Sequence, residues 1–256
     1  MPDDTFTIDP RFQGIPDVAL GGYVGGLLAG DAPSGEVALR RPVPLGRPLR
    51  IERSDDGTAT LLEGAERLAQ WRPGEVAIEV PPPVSFDEAV LAEARSLQRS
   101  PEHRQPFPNC LVCGADRAPG EGFRLFTGPV AGRDVVAVPW TPERVHAGPD
   151  GVVRPDLVWA VMDCPTIMAL VFASPDDAPE RVVTARLAVQ RRGPVRAGEP
   201  HVIMAWSAGR DGKANITGGA VFSARGEVLA VGRHALVPVT WGVVLGRDSW
   251  RRAQSA

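Results

Sequence analysis

Long apolar runs are missing from this sequence: nowhere do its 256 residues reach the roughly 18 consecutive apolar side chains that a membrane span needs. The first residues, Met1 to Asp4, are acidic and lack the positive-then-apolar pattern of a secretory leader. The expected location is therefore cytoplasmic, with no membrane partner. Cysteine is scarce as well. Three in a chain of this length, an odd number, do not make a disulfide framework and fit reduced thiols. There is no surplus of positive charge: the formal net charge is −3 with Arg and acidic residues interspersed, so no basic face is offered to a phosphate backbone and nucleic acid is not an expected partner. No Gly-x-Ser-x-Gly motif occurs, which argues against a serine nucleophile and an acyl-enzyme route.

Glycine and proline are abundant, at 28 and 26 residues, as in a chain of many short strands joined by turns. A hydrophobic share of 43% allows one large core or two smaller ones. An internal echo favours two. Residues 40–48 read RRPVPLGRP and residues 191–200 read RRGPVRAGEP, so Arg-Arg, Pro-Val, Gly and Pro recur in order with one insertion. An apolar helical stretch precedes each copy, Val18 to Ala29 and Leu157 to Phe172. Strand-like runs follow: Leu49 to Ser54, Ala59 to Glu63, Arg67 to Gln70 and Glu75 to Val80 in the first half; His201 to Ser207, Ala214 to Ser223 and Val228 to Pro238 in the second. Asp55-Asp56-Gly57, Arg210-Asp211-Gly212 and Arg225-Gly226 mark the turns.

Pro81-Pro82-Pro83 closes the first half, because consecutive prolines cannot continue a ladder. Ser85 and Glu88 then form a capping box, and Phe86, Val90, Leu91, Ala94 and Leu97 are expected on one buried helical face. Ser100 to Gly122 is loop-like, and Phe123 to Phe126 and Val135 to Trp140 resume as strands.

The two central helices differ. The first carries Gly21, Gly22, Gly25 and Gly26, which cost roughly 1 kcal/mol each against Ala, so close backbone approach is the expected compensation. The second, LVWAVMDCPTIMALVF, is apolar nearly all round and therefore buried, yet holds one acid, Asp163. A carboxylate there is either a cap or hydrogen-bonded acid at the bend imposed by Pro165, or a general base with an environment that tunes it.

In this order the sequence resembles the double-hotdog acyl-CoA thioesterases, acyl-CoA thioesterase II in particular. Gly21-Gly22-Tyr23-Val24 is similar to the Gly-Gly-Gln-Val that opens that family's first helix, and WAVMD, 159–163, is similar to the stretch whose final Asp is catalytic. Thr184 stands in the register of the family's Thr, and His234 occupies the place of its Gln. The chain also resembles uncharacterised hotdog proteins that join Cys-x-x-Cys-Gly to Trp-Ala-x-x-Asp-Cys-Pro.

The resemblance implies an α+β fold of two tandem hotdog modules, each an antiparallel sheet wrapped around a central helix. The implied division is a first module over 1–84, a linker helix and loop over 85–122, a second module over 123–242 and a tail over 243–256. It further implies thioester hydrolysis of acyl-CoA or carrier-bound acyl groups, with Asp163 directing a water that Thr184 and His234 hold, and an oxyanion against the backbone around Gly22 and Tyr23. Gly21 and Trp159 complete the expected substrate-binding set.

Each helper has a plainer alternative: Thr184 as a strand residue, His234 as an exposed or satisfied histidine, Tyr23 as packing. A silent acyl-binding or scaffold protein is the competing function, which the exchange of Gln for His permits. A hotdog hydratase is disfavoured because no Asp-x-x-x-x-His stretch lies near Asp163. Cys110 and Cys113 have zinc-knuckle spacing, but zinc wants four ligands and only Cys164 and His103 or His146 remain. Two small thiols shaping a loop are expected there, with no cofactor or metal; Cys164 close to them would make a site bordering Asp163. A monomer and a homodimer both fit, the dimer somewhat better.

Overall fold

The computed structural model describes residues 5–99, 107–173 and 182–239. The expected tail over 243–256, part of the expected 100–122 loop, and His103 lie outside them. Among the described residues ten antiparallel strands form one sheet in the order β2-β3-β4-β1-β7-β10-β9-β8-β6-β5. The first half contributes β1 (Ser34–Leu39), β2 (Arg50–Arg53), β3 (Ala59–Glu63) and β4 (Glu66–Pro73). The second contributes β5 (Gly128–Pro129), β6 (Val135–Trp140), β7 (Val182–Arg191), β8 (His201–Asp211), β9 (Ala214–Ser223) and β10 (Val228–Pro238). The halves join where β1 pairs with β7, Glu36 opposite Ala188. The echoed segments 40–48 and 191–200 leave the far ends of these two seam strands.

Helix α1 (Gly21–Ala29) lies in the first half; α3 (Pro155–Val161) and α4 (Asp163–Ala173) lie in the second. The expected single second helix is thus two. Pro165 has no N–H to give and its ring conflicts with the carbonyl four residues back, which is that of Val161, the last residue of α3. By length and mean hydropathy the run Pro155–Ala173 would suit a bilayer. Here it is a core helix pair, packed on α1 and on β6, β8 and β9.

Close approach explains the glycines of α1. A Cβ on Gly22 would stand 2.6 Å from the Trp159 carbonyl oxygen, and one on Gly26 would stand 2.5 Å from the Asp156 Cα. The helices therefore cross with backbone nearly touching backbone. The sheet makes similar room for α4: Gly219 and Gly232 are paired across β9 and β10 and lie under Thr166 and Met162.

One consequence corrects the expectation of two cores. The largest buried cluster runs through both halves, from Ile8, Leu28 and Trp71 across Trp159 to Leu187 and Ile203. A second cluster, around Ala92, Trp206 and Phe222, draws its buried residues from the region 84–222, with Ile78, Val80 and Val228 packed on it.

Three local expectations are corrected. Residues 75–80 have no ladder partners, their apolar side chains Val76, Ile78 and Val80 packing onto Ala188 and Val231 of the sheet. Phe123 to Phe126 form no strand; that edge is β5, two residues further on. Helix α2 (Phe86–Ala94) has the foreseen capping box, with Ser85 Oγ accepting from Glu88 N–H and Glu88 accepting from Ser85 N–H. Its buried face, however, is Ala89 and Ala92, while Val90 and Leu91 are 44% and 56% exposed. The reason is proximity: Gly128 abuts the Ala92 carbonyl so tightly that only a small-residue face fits.

Candidate active site

The break after Val161 puts Asp163 in the first turn of α4, only 3% exposed. Its carboxylate faces the N-terminus of α1, the helix of the other half. Gly22 N–H donates to Oδ2 at 2.7 Å, and the Thr184 hydroxyl, from β7, donates to Oδ1 at 2.7 Å. Helix α1 has no capping side chain of its own, since Leu20 holds the N-cap position. Asp163 therefore supplies a negative charge where the N–H groups of Gly21, Gly22 and Tyr23 have no backbone acceptor among the described residues and the macrodipole is positive. Burial pushes its carboxyl up from the ordinary value, opposed by the hydrogen bonds from Thr184 and Gly22.

His234, on β10, is fully buried with Nε2 3.9 Å from Asp163 Oδ1. That separation is too long for a direct hydrogen bond. Both ring nitrogens lack a partner among the described residues. Desolvation pulls its pKa down to about 3, so at neutral pH it is a neutral imidazole with one donor and one acceptor to offer. The three expected side chains thus meet at one point.

Gly21 covers that point. A Cβ there would meet Leu39 Cδ1 at 2.6 Å, Asp163 Oδ2 at 3.2 Å and Thr184 Cβ at 3.7 Å. Gly22 gives its N–H to the carboxylate and is not free for an oxyanion, whereas the N–H groups of Gly21 and Tyr23 take no partner among the described residues. The Tyr23 ring is stacked on Phe12 at 3.9 Å, and burial raises its hydroxyl to about 12, so the side chain packs and does not titrate. Trp159 is buried in the α1–α3 crossing, against Gly25 and Gly26. A cleft of about 290 Å³ opens at the seam between the halves, lined by Pro33, Val152, Val158, Arg191 and Val195; Asp163, Thr184 and His234 are not among its walls.

Two polar residues escaped the sequence reasoning. Thr217 pairs directly with His234 across β9 and β10, and Asn215 follows two residues earlier on the same face; both are buried, and Thr217 Oγ1 and Asn215 Nδ2 lack partners among the described residues. Their signal was present as the alternation Asn215, Thr217, Gly219 in β9, the face turned toward α4. Cys164, beside Asp163, lies 3.5 Å from Cys110 by sulfur, and Cys113 completes a group of three. His146 packs instead against the Phe123 ring at 4.7 Å.

No protein-family model and no curated protein matches the chain. Solved structures do. A tesB protein of Mycobacterium avium subsp. paratuberculosis is similar over 93% of this chain and 96% of its own, at 15% identity and a TM-score of 0.58. Acyl-CoA thioesterase II TesB2 of Mycobacterium marinum is similar over 88% and 90%, at 15% identity and 0.53. A protein of unknown function with a hotdog fold, from Alicyclobacillus acidocaldarius, is similar over 92% of each chain, at 12% identity and 0.57. A thioesterase superfamily protein is covered over 53% of its length, at a TM-score of 0.40. The fold is thus α+β, two tandem hotdog modules, each an antiparallel sheet around its helix.

Proposed function

We propose that the chain hydrolyses thioesters of acyl-CoA or carrier-bound acyl groups by attack of a water that Asp163 directs. The observation that carries this is a buried carboxylate held by Gly22 N–H and Thr184, with the unpartnered His234 ring beside it. A water in reach of both Asp163 Oδ1 and His234 Nε2 would satisfy the imidazole and be aimed by it. Asp163 takes a proton from that water as its oxygen attacks the thioester carbonyl. The tetrahedral intermediate collapses by breaking the C–S bond, and Asp163 returns the proton to the departing thiolate. A carboxyl raised by burial is a better base than an exposed one. The oxyanion is placed against the N–H groups of Gly21 and Tyr23 at the positive end of α1. Similarity to a structure named as an acyl-CoA thioesterase II supports the reaction class.

One observation favours a silent acyl-binding protein: both Asp163 oxygens already have internal partners, which suits a cap tying one module to the other's helix. Hydrolysis of a panel of acyl-CoAs of increasing chain length, by the protein and by its Asp163→Asn variant, separates the two. The enzyme predicts turnover that falls about 10²- to 10⁴-fold in the variant. No turnover by the folded wild type, or turnover undiminished in the variant, contradicts it.

A further inference from the structure

The sulfur atoms of Cys110, Cys113 and Cys164 all lie within 4.8 Å of one another. Two come from the loop before β5 and the third from the first turn of α4, so tertiary folding, not local sequence, assembles them. Cys110 and Cys113 are buried and Cys164 is half-buried. Cys110 and Cys164 are 3.5 Å apart by sulfur, well beyond the roughly 2.05 Å of a disulfide.

The loop is shaped around sulfur. Gly114 N–H donates to the Cys110 carbonyl at 2.9 Å and Asp116 N–H to the Pro108 carbonyl at 3.0 Å, folding the chain back on itself immediately after Cys113. A side chain at Gly114 would collide with the Cys110 carbonyl, so only glycine fits this reversal. The Cys110 sulfur is met by the Cys113 and Cys164 thiols and by the backbone N–H groups of Cys113 and Val112. Backbone donors aimed at sulfur stabilise a thiolate; three thiols placed only to fill apolar space would not need them.

We propose that Cys110, Cys113 and Cys164 form a binding site for one thiophilic d10 cation, zinc, each thiol releasing its proton to solvent as the metal–sulfur bond forms. Zn–S bonds of about 2.3 Å in a tetrahedron separate sulfurs by about 3.8 Å, a spacing compatible with the group observed. The Gln98 side-chain amide hydrogen-bonds Cys113, and its Oε1 has no partner among the described residues. A water takes the fourth position. The ion clamps the 107–126 loop to the start of α4, one residue from Asp163, and would be structural in character. The site stands whether or not the chain hydrolyses thioesters.

The test uses the full chain. Zinc content is measured on protein purified with Zn(II), and absorption is recorded after exchange for Co(II), alongside Cys110→Ser and Cys164→Ser. The expected result is about one zinc per chain, thiolate-to-cobalt charge-transfer absorption in the near ultraviolet, and at least about a tenfold loss of bound metal in either variant. Wild-type protein that is folded by circular dichroism yet binds no zinc and gives no cobalt–thiolate band overturns the proposal. So does a folded Cys164→Ser variant that keeps its zinc. Because wild type alone can fail the test, misfolding of a variant does not protect the proposal.

Discussion

From the seam outward the first module runs β1-β4-β3-β2 and the second β7-β10-β9-β8, the same order twice. The first module's four strands have 4 to 8 residues and these four of the second have 10 or 11, with the short β6 and β5 added beyond β8. The helices differ in kind as well. Helix α1 is glycine-rich and presents backbone; α4 and the strands beneath it present side chains. At the candidate site the division is complete: Gly21, Gly22 and Tyr23 bring N–H groups, while Asp163, Thr184 and His234 bring carboxylate, hydroxyl and imidazole. The same strand order thus carries close approach and positive potential in one half and ionisable chemistry in the other.

That asymmetry can be broken from the second module first. His234 resists protonation down to about pH 3 when folded, whereas an unfolded histidine takes a proton near 6.5. Below 6.5 the unfolded chain therefore binds the extra proton, so stability is full above that pH and is lost as pH falls toward 3. The loss from this group is on the order of a few kcal/mol. Urea midpoints measured from pH 7 to pH 4 should fall more steeply in the wild type than in His234→Gln; parallel slopes would refute the buried neutral imidazole.

The first module is broken by adding one carbon. Gly26→Ala gains helix propensity of about 1 kcal/mol, but its Cβ meets the Asp156 backbone, which has no flexible end to move aside. A net destabilisation of about 1–3 kcal/mol is expected from such overpacking, read as a lowered melting temperature. An unchanged or raised value would show that the helix crossing is looser than the structure indicates.

Removing the hydroxyl of Thr184 with Val leaves the Asp163 oxygen without that donor, and about a tenfold fall in kcat/KM is expected, near 1.4 kcal/mol. The effect belongs in kcat if Thr184 holds the reacting carboxylate and in stability alone if it is only a strand residue. The smallest effect is forecast for Leu91→Ser on the exposed face of α2, within about 0.5 kcal/mol by denaturant titration.

Much of this was legible in the chain. The strands β3, β6, β9 and β10 and the capping box at Ser85 follow from short-range patterns, because alternation and caps are local physics. Asp163 announced itself as the one acid in an apolar helix. The burial of Ala89 and Ala92 instead of Val90 and Leu91 was not legible, since it depends on Gly128 arriving from a distant segment. Strand β1 was missed, and with it the seam: its partner β7 lies about 150 residues away, and SGEVAL by itself alternates weakly. For the same reason the three sulfurs showed as one Cys-x-x-Cys and a distant Cys164. Asn215 and Thr217 were overlooked because a polar residue in a strand is ordinarily assigned to the solvent side, and here that side holds α4.

The most direct test of the division of labour is the amide proton of Gly22, observed by NMR in the wild type and in Asp163→Asn at one pH. A carboxylate from the second module bonded at 2.7 Å to the first module's helix predicts a strongly downfield Gly22 resonance that moves upfield when the charge is removed, with Leu61 and Trp71 amides unmoved. A Gly22 resonance at an ordinary position, indifferent to the substitution, would mean that the two modules do not share this site.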